Sequence, residues 1–496
     1  MDNAMPDNER LERALEKETR MGMNIHVPYQ LIKTLPTILR ENDFEVNCVT
    51  CSYKNLLTVL DVVPVSETII YGAAVDIGTT SVTGIIVDML TGRILAKGST
   101  GNGQIRYGAD VINRIIQTTK ENGIKKLQDA VIEESLKPLL SNMCKSLDIS
   151  PDKIVRICFA GNTTMEHLLL GVQADFLRQE PFVPAFFNIK GMLGAELPLG
   201  INPNANVIIA PNIGSYVGGD ITAGTLATLL WHQPEFSIFI DLGTNGEIVF
   251  GNEDFMMSCA CSAGPAFEGG DISCGMRATD GAIEKISIDK ETMEPTYSVV
   301  GGGKPVGICG SGIIDITAEL FKTGIINGKG KFIREGKRIR YDENGMGSYI
   351  IAFKEEAGSV KDVELNEVDL DNFIRAKGAI FSAINIMLEK LGFDPTVLDH
   401  IYVAGGIGSG INMENAVTIG MLPDVERSKF EYLGNTSLLG AYCMLTSIPA
   451  YTKVDDLAAN MTYIELSNEP QYMDYFVGAC FLPHTNANLF PSVIVN

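Results

Sequence analysis

The chain has 496 residues, 45% of them hydrophobic and 20% charged, with a formal net charge of −22. That composition excludes a disordered chain and gives material for two to four domains of about 100–200 residues each. The acidity argues against nucleic acid as a partner, because phosphate backbones demand basic patches.

The N-terminal stretch "MDNAMPDNERLERALEKETR" is polar and acidic, unlike a secretory signal. No uninterrupted apolar run reaches the roughly 18 residues that a membrane span needs. The ten cysteines follow no secreted disulfide framework. The expectation is a soluble, reducing, cytoplasmic protein with no membrane partner.

Residues 11–20 have helical spacing, and 32–40 ("IKTLPTILR") form a short amphipathic helix with a proline near its start. Residues 46–53 and 56–63 have the composition of strands, so 1–70 is a small α+β domain of a middle type. From Ala73 the chain runs strand ("AAVDI"), turn ("GTT"), strand ("VTGIIVD"), turn at Thr91-Gly92, strand ("RILAKGS"), an antiparallel meander. A helix-rich stretch over 110–145, the strand "KIVRICFAG", the helix "TTMEHLLLG" and the helix "ITAGTLATLLW" complete a first lobe over 71–233. The second lobe, 234–445, restarts with "SIFIDLG", "GEIVFG" and "DFMMSCAC", continues with helices at 313–323 and 372–391, and reaches the strand "HIYVAGG". Residues 446–496 have mixed composition and are expected to pack on the core.

Both lobes thus open with an aspartate at the end of a strand, followed by Gly-Thr and a hairpin. Asp76 and Asp241 stand 165 positions apart, too far for a short solenoid repeat. Gly78 and Gly243 let the backbone approach a ligand closely. Thr79, Thr80, Thr244, Asn245 and Gly246 then offer amide and hydroxyl donors suited to phosphate oxygens. An aspartate beside phosphate is repulsive unless a divalent cation lies between them, so Asp76 and Asp241 are candidate ligands of Mg²⁺ through water. One such turn alone could be no more than a capped hairpin. Two copies opening two similar halves favour a single Mg-nucleotide gripped from both walls of a cleft. Gly405, Gly406 and Gly408, between a strand and a helix from Asn412, are placed to take the nucleoside. Ser311 in "GICGSGIIDITAEL" is a further candidate contact.

The twice-repeated strand–DxGT–hairpin, with VAGG before a later helix, resembles the superfamily of actin, the sugar kinases and the Hsp70 chaperones over about residues 72–445. The resemblance implies an α/β fold of two lobes with duplicated RNase H-like cores, ATP in the cleft and hinge motion. It also lends Asp220, in "GGDITAGTLA", the general-base role found in sugar kinases. A helix N-cap fits the same position equally well.

"AGNTTMEHLLLG", "PNIGSYVGGD", "CACSAGPAFEGGDISCGMRATDGAIE", "GICGSGIIDITAEL" and "FLPHTNANLFPS" together resemble the reductive activators of corrinoid proteins. This likeness extends over nearly the whole chain. It implies an ATPase that returns a corrinoid protein from Co(II) to Co(I) for methyl-transfer metabolism, with ATP and Mg²⁺ as cofactors. Ser262, Gly264 and Pro265 are candidate contacts to the corrinoid partner, with a glycine-rich turn beside the second phosphate loop as the alternative. The plant-type ferredoxin module usual in such relatives, C-x₄-C-x₂-C with a distant cysteine, has no counterpart in this sequence. Cys48-x-x-Cys51 is a lone pair, and Cys259, Cys261, Cys274 and Cys309 have poor cluster spacing. No iron–sulfur cluster is expected in this chain, so electrons come from a separate donor unless the sequence is a piece lacking that module. A homodimer stays open. The rival readings are a small-molecule kinase with Asp220 as base, an activator ATPase for another low-potential iron–sulfur enzyme, and a nucleotide-gated scaffold.

Overall fold

Apolar residues three and four apart make α1 (Asp7–Thr19) and α2 (Tyr29–Glu41) one-sided. Leu11 and Leu15 of α1 and Leu31, Leu35 and Leu39 of α2 join Val59 and Val62 in one small core. The sheet they cover has β1 (Asn24–His26) parallel and β2 (Val46–Tyr53) antiparallel to the central β3 (Leu56–Pro64). The second helix starts a turn earlier than the spacing predicts, directly after the extended Pro28, which leaves Pro36 inside it.

The computed structural model describes residues 4–19, 22–53, 55–406 and 410–493. The chain divides into two compact units, Met1–Ala227 with Ser437–Ala459, and Thr228–Thr436 with Asn460–Asn496.

In the first unit, β4 (Tyr71–Ile77), β5 (Ser81–Asp88) and β6 (Ile94–Gly101) form the expected meander. Helices α3 (Val111–Thr118), α4 (Gly123–Val131) and α5 (Lys137–Ser146) follow, and β7 (Ile154–Gly161) returns parallel to β4. Next come α6 (Thr163–Leu169), the short β8 (Met192–Leu193), β9 (Asn206–Ile209) parallel to β7, and α7 (Gly219–Thr228). The strand order is β6-β5-β4-β7-β9-β8. Ala73, Ala74 and Val75 are all fully buried, which is why the central strand reads as a continuous apolar run.

The second unit repeats the plan. β10 (Ser237–Leu242), β11 (Gly246–Gly251) and β12 (Met256–Cys261) form its meander. Two small sheets are inserted: β13 (Ala282–Ile288) with β14 (Pro295–Val299) and β15 (Gly307–Ile308), and, beyond α8 (Gly310–Lys322), β16 (Ile339–Tyr341) with β17 (Gly347–Ala352) and β18 (Val363–Asn366). After α9 (Glu367–Glu389), β19 (His400–Ala404) pairs parallel with β10, and α10 (Met413–Thr418) leads to β20 (Phe430–Gly434), parallel to β19.

Helices α11 (Thr436–Thr446) and α12 (Ile448–Asn460) return the chain to the first unit, and β21 (Met461–Ile464) and α13 (Tyr472–Ala479) bring it back to the second. The second sheet runs β20-β19-β10-β11-β12-β21. Leaving aside the two-residue β8 and the late β21, and counting strands from each meander's first, both sheets hold the order 3-2-1-4-5, so the duplication inferred from two short turns extends to five strands of each sheet.

One buried cation fixes the C-terminal segment. Lys377 lies fully buried in the middle of α9, and its Nζ donates to the carbonyls of Phe481 and Pro483, the latter at 2.7 Å. Burial pushes its pKa down to about 7. The motif "FLPHT" is thus wrapped around a lysine that has no surface role.

Candidate functional site

The two aspartates occupy equivalent places in the register. Asp76 pairs with Thr83 on one side and Ala160 on the other, and Asp241 pairs with Glu247 and Ala404. Each is half-buried, one residue before its strand ends.

A glycine at the end of the fourth strand in the first sheet, and directly after it in the second, is pressed against the backbone just after the aspartate. A Cβ on Gly161 would lie 2.9 Å from the carbonyl oxygen of Ile77, and one on Gly405 2.0 Å from that of Leu242. "AGN" at 160–162 is therefore the counterpart of "AGG" at 404–406, a correspondence the sequence reading passed over.

In the first unit the turn Gly78–Thr80 is held from behind. The Asn102 side chain donates to the Gly78 carbonyl at 2.9 Å and its backbone N–H to the Thr80 carbonyl at 3.0 Å. Arg114, fully buried, donates to the Thr79 carbonyl and to the Gly108 carbonyl. In a trans peptide the carbonyl and the following N–H point opposite ways. The amides of Thr79 and Thr80 consequently face away from Asn102 and Arg114, as a phosphate cradle requires. Asn162, which caps α6, donates to Thr79 Oγ1 at 3.1 Å, and Ser437 donates to Asp76 Oδ1 at 2.7 Å. None of these four partners was singled out from sequence. Asp220 is the second residue of α7, in its first turn rather than at its cap, and its Oδ1 accepts from the Ile221 N–H at 2.9 Å. The glycine before α7, Gly218, lies flat on the start of α6, where a Cβ would be 2.5 Å from Asn162 Cα. Asp76, the Gly78–Thr80 turn and the Asp220 turn are thus joined through Asn162.

In the second unit the Gly243 N–H donates to the Asn245 carbonyl at 3.0 Å, closing the turn. Gly246 is buried under Cys261, whose Sγ donates to its carbonyl at 3.2 Å. Thr244 donates to Glu268 Oε2 at 3.3 Å, adding a carboxylate that sequence reasoning missed. Glu268 ends the short helical turn Pro265–Glu268, so Ser262, Gly264 and Pro265 belong to a segment tied at its far end to the second Gly-Thr turn. Within it Ala263, Ala266 and Phe267 are buried, the last with its ring edge-on to Phe373, and Ser262 is exposed.

Tyr432 donates to the Gly405 carbonyl at 2.7 Å, and burial together with the Asp241 carboxylate pushes its phenol pKa up. Gly406 is exposed, with nothing within 4 Å of where a Cβ would stand. Gly408 lies outside the described residues. Ser311 is buried at the start of α8, and its hydroxyl donates to the Glu284 carbonyl at 3.0 Å, which ties it to β13 rather than to either turn.

Among the described residues no group of three or more His, Cys, Asp or Glu side chains could hold a metal ion. Mg²⁺ asks for less: it keeps several waters and takes one or two carboxylates plus phosphate oxygens. Asp76, steadied by Ser437 in the first unit, and Asp241 in the second are each a half-buried carboxylate of that chemistry. The cysteines are used locally, Cys259 against Met387 and Cys309 against the Ile283 carbonyl, and burial raises the pKa of Cys259 and Cys261.

Comparison with known proteins gives a consistent set of matches. Residues 235–494 match the family described as the C-terminal domain of RACo, the ASKHA domain; 71–233 match the RACo middle region and 1–68 the RACo linker region. The corrinoid activation enzyme RamQ of Eubacterium limosum is 34% identical over 430 residues, 84% of this chain and 72% of its own length. A Methanosarcina barkeri protein described as the reductase of a Co(II) methylated amine-specific corrinoid protein is 26% identical over 79% of this chain and 73% of its own. The solved structure of a reductive activator for corrinoid, iron–sulfur protein covers 99% of this chain, and 78% of that one, at 42% identity and a TM-score of 0.91.

Proposed function

The chain belongs to the RACo family, and from that premise we propose that it is a reductive activator: it returns a corrinoid protein from Co(II) to Co(I), with ATP hydrolysis coupled to the cycle. The observation that carries this reading is the correspondence of 99% of the chain with a solved reductive activator. The repeated Asp-x-Gly-Thr turns supply the nucleotide part of it.

Magnesium-bound ATP supplies the phosphoanhydride whose hydrolysis makes the cycle directional. Asp76 and Asp241 would hold the cation through water, and the amides of Thr79 and Thr80 donate to phosphate oxygens. Thr244 can exchange Glu268 for a phosphate oxygen. Asp220 orients or deprotonates the attacking water. Gly406, with nothing within 4 Å of where a Cβ would stand, leaves room beside Gly405 for the nucleoside to lie against the backbone. Ser262, the exposed residue of an otherwise anchored loop, is the contact to the corrinoid partner. ATP contributes only if its bound and hydrolysed states differ in affinity for that partner. Electrons come from a separate donor. No helix among the described residues is long and apolar enough to cross a membrane. A reducing, cytoplasmic setting suits the ten free cysteines.

The test is ATP turnover with and without a Co(II) corrinoid protein, in the unsubstituted chain and in Asp76→Ala and Asp241→Ala. Hydrolysis that rises with the corrinoid protein and disappears in both variants supports the reading. Absence of hydrolysis in the unsubstituted chain, or phosphate transfer to a sugar or short acid, overturns it.

A further inference from the structure

Helix α6 carries a carboxyl that the chemistry above leaves unused. Glu166 is fully buried, and its Oε2 accepts from Asn212 Nδ2 at 2.7 Å. The Asn212 Oδ1 accepts from the Gly219 N–H at 3.0 Å. A backbone N–H can only donate, so the Asn212 oxygen must face Gly219 and its amino group must face Glu166. That makes Oε2 an acceptor.

The other oxygen, Oε1, is buried with no hydrogen-bond partner among the described residues. It lies hard against the start of α7, where a Cβ on Gly219 would be only 2.2 Å from it. Burial, and after it the nearby Asp220 charge, pushes the Glu166 pKa well up, against the lowering effect of Asn212. A proton on Glu166 belongs on Oε1, because Oε2 is occupied in accepting from Asn212.

We propose that Glu166 is a positioning residue: through Asn212 it fixes the Gly218–Gly219 turn, and through its Oε1 it faces that turn, so that the Asp220 carboxylate is held in one orientation. The same helix begins at Asn162, which touches Thr79. Helix α6 thereby sets the phosphate turn and the Asp220 turn in mutual register. The proposal rests on the reading of Asp220 as the group that orients the attacking water.

Three variants test it: Glu166→Ala, Glu166→Gln and Gly219→Ala. A misplacement of about 1 Å near the reacting groups costs on the order of 10²-fold in rate. Glu166→Ala and Gly219→Ala should therefore lose about that much kcat, while the Kd for ATP stays within about twofold. Glu166→Gln, which keeps an acceptor for Asn212 and a donor in place of Oε1–H, should recover most of the loss. In an Asp220→Asn background Glu166→Ala should add little. An unchanged kcat in Glu166→Ala, or an equal loss in the Ala and Gln variants, overturns the proposal. Infrared spectroscopy gives a readout that needs no turnover. The carbonyl stretch of a protonated carboxyl should be present at neutral pH and vanish in Glu166→Gln; its absence from the unsubstituted chain also overturns the proposal. If that band is present but the unsubstituted chain does not hydrolyse ATP, the functional reading fails while Glu166 keeps its protonated, buried placement.

Discussion

Replacing Gly405 by alanine should damage the second unit far more than replacing its neighbour Gly406. Gly405 has φ +120, a conformation that costs an L residue about 1–3 kcal/mol. Its Cβ would also lie 2.0 Å from the Leu242 carbonyl oxygen. Neither partner can withdraw freely, since β10 and β19 are paired up to Asp241 and Ala404. Relief needs the strands to part by on the order of 1 Å, which sacrifices about one buried ladder hydrogen bond at about 1–3 kcal/mol. The sum is about 2–6 kcal/mol. At Gly406 a Cβ meets nothing within 4 Å, so Gly406→Ala should stay within about 0.5 kcal/mol. The assay is urea unfolding followed by the fluorescence of Trp231, the sole tryptophan and a residue of the same unit. Gly406→Ala should instead show itself as weaker ATP binding. A Gly405→Ala midpoint equal to that of the unsubstituted chain, or equal losses in both variants, would refute the reasoning.

Lys377→Met removes the donor from the buried Phe481 and Pro483 carbonyls. Loss of that donor, partly offset by removal of a buried charge, should lower stability by about 2–4 kcal/mol. Urea unfolding and limited proteolysis near residue 480 check this, and unaltered resistance in both would contradict it. Glu166 gives a pH prediction. Its folded pKa is raised, so above about pH 4.3 the folded chain keeps a proton that the unfolded chain releases, and stability falls as pH rises toward the folded pKa. Glutamine carries no such proton. Glu166→Gln should thus gain stability relative to the unsubstituted chain as pH climbs from about 4.3 toward the raised folded pKa. A flat or falling difference in unfolding midpoint would count against a raised pKa.

The features legible in the sequence are those with local signals. Alternating apolar runs around Asp76-Ile77-Gly78-Thr79 and Asp241-Leu242-Gly243-Thr244 announce hairpins, and their repetition implied a duplicated core. What holds those turns was not legible, because the partners come from far along the chain. Arg114 sits in "DVINRIIQ", which reads as a helix with a solvated arginine, yet tertiary packing buries it entirely behind Thr79. Ser437 reaches Asp76 across 361 positions. Two signals were available. "FAGN" and "VAGG" each end a fourth strand, and their likeness marks Asn162 as the counterpart of Gly406. Lys377 is a lone charge inside "AKGAIFSAINIML", which marks a buried lysine in need of acceptors. The C-terminal segment gave no pattern because its strand, β21, is four residues long and acquires meaning only beside β12.

The most direct measurement follows the visible spectrum of a Co(II) corrinoid protein mixed with this chain, Mg-ATP and a low-potential reductant. The account predicts the Co(I) band only when ATP is present, and its loss in Asp241→Ala. Formation of Co(I) without ATP, or at full rate in Asp241→Ala, would contradict it.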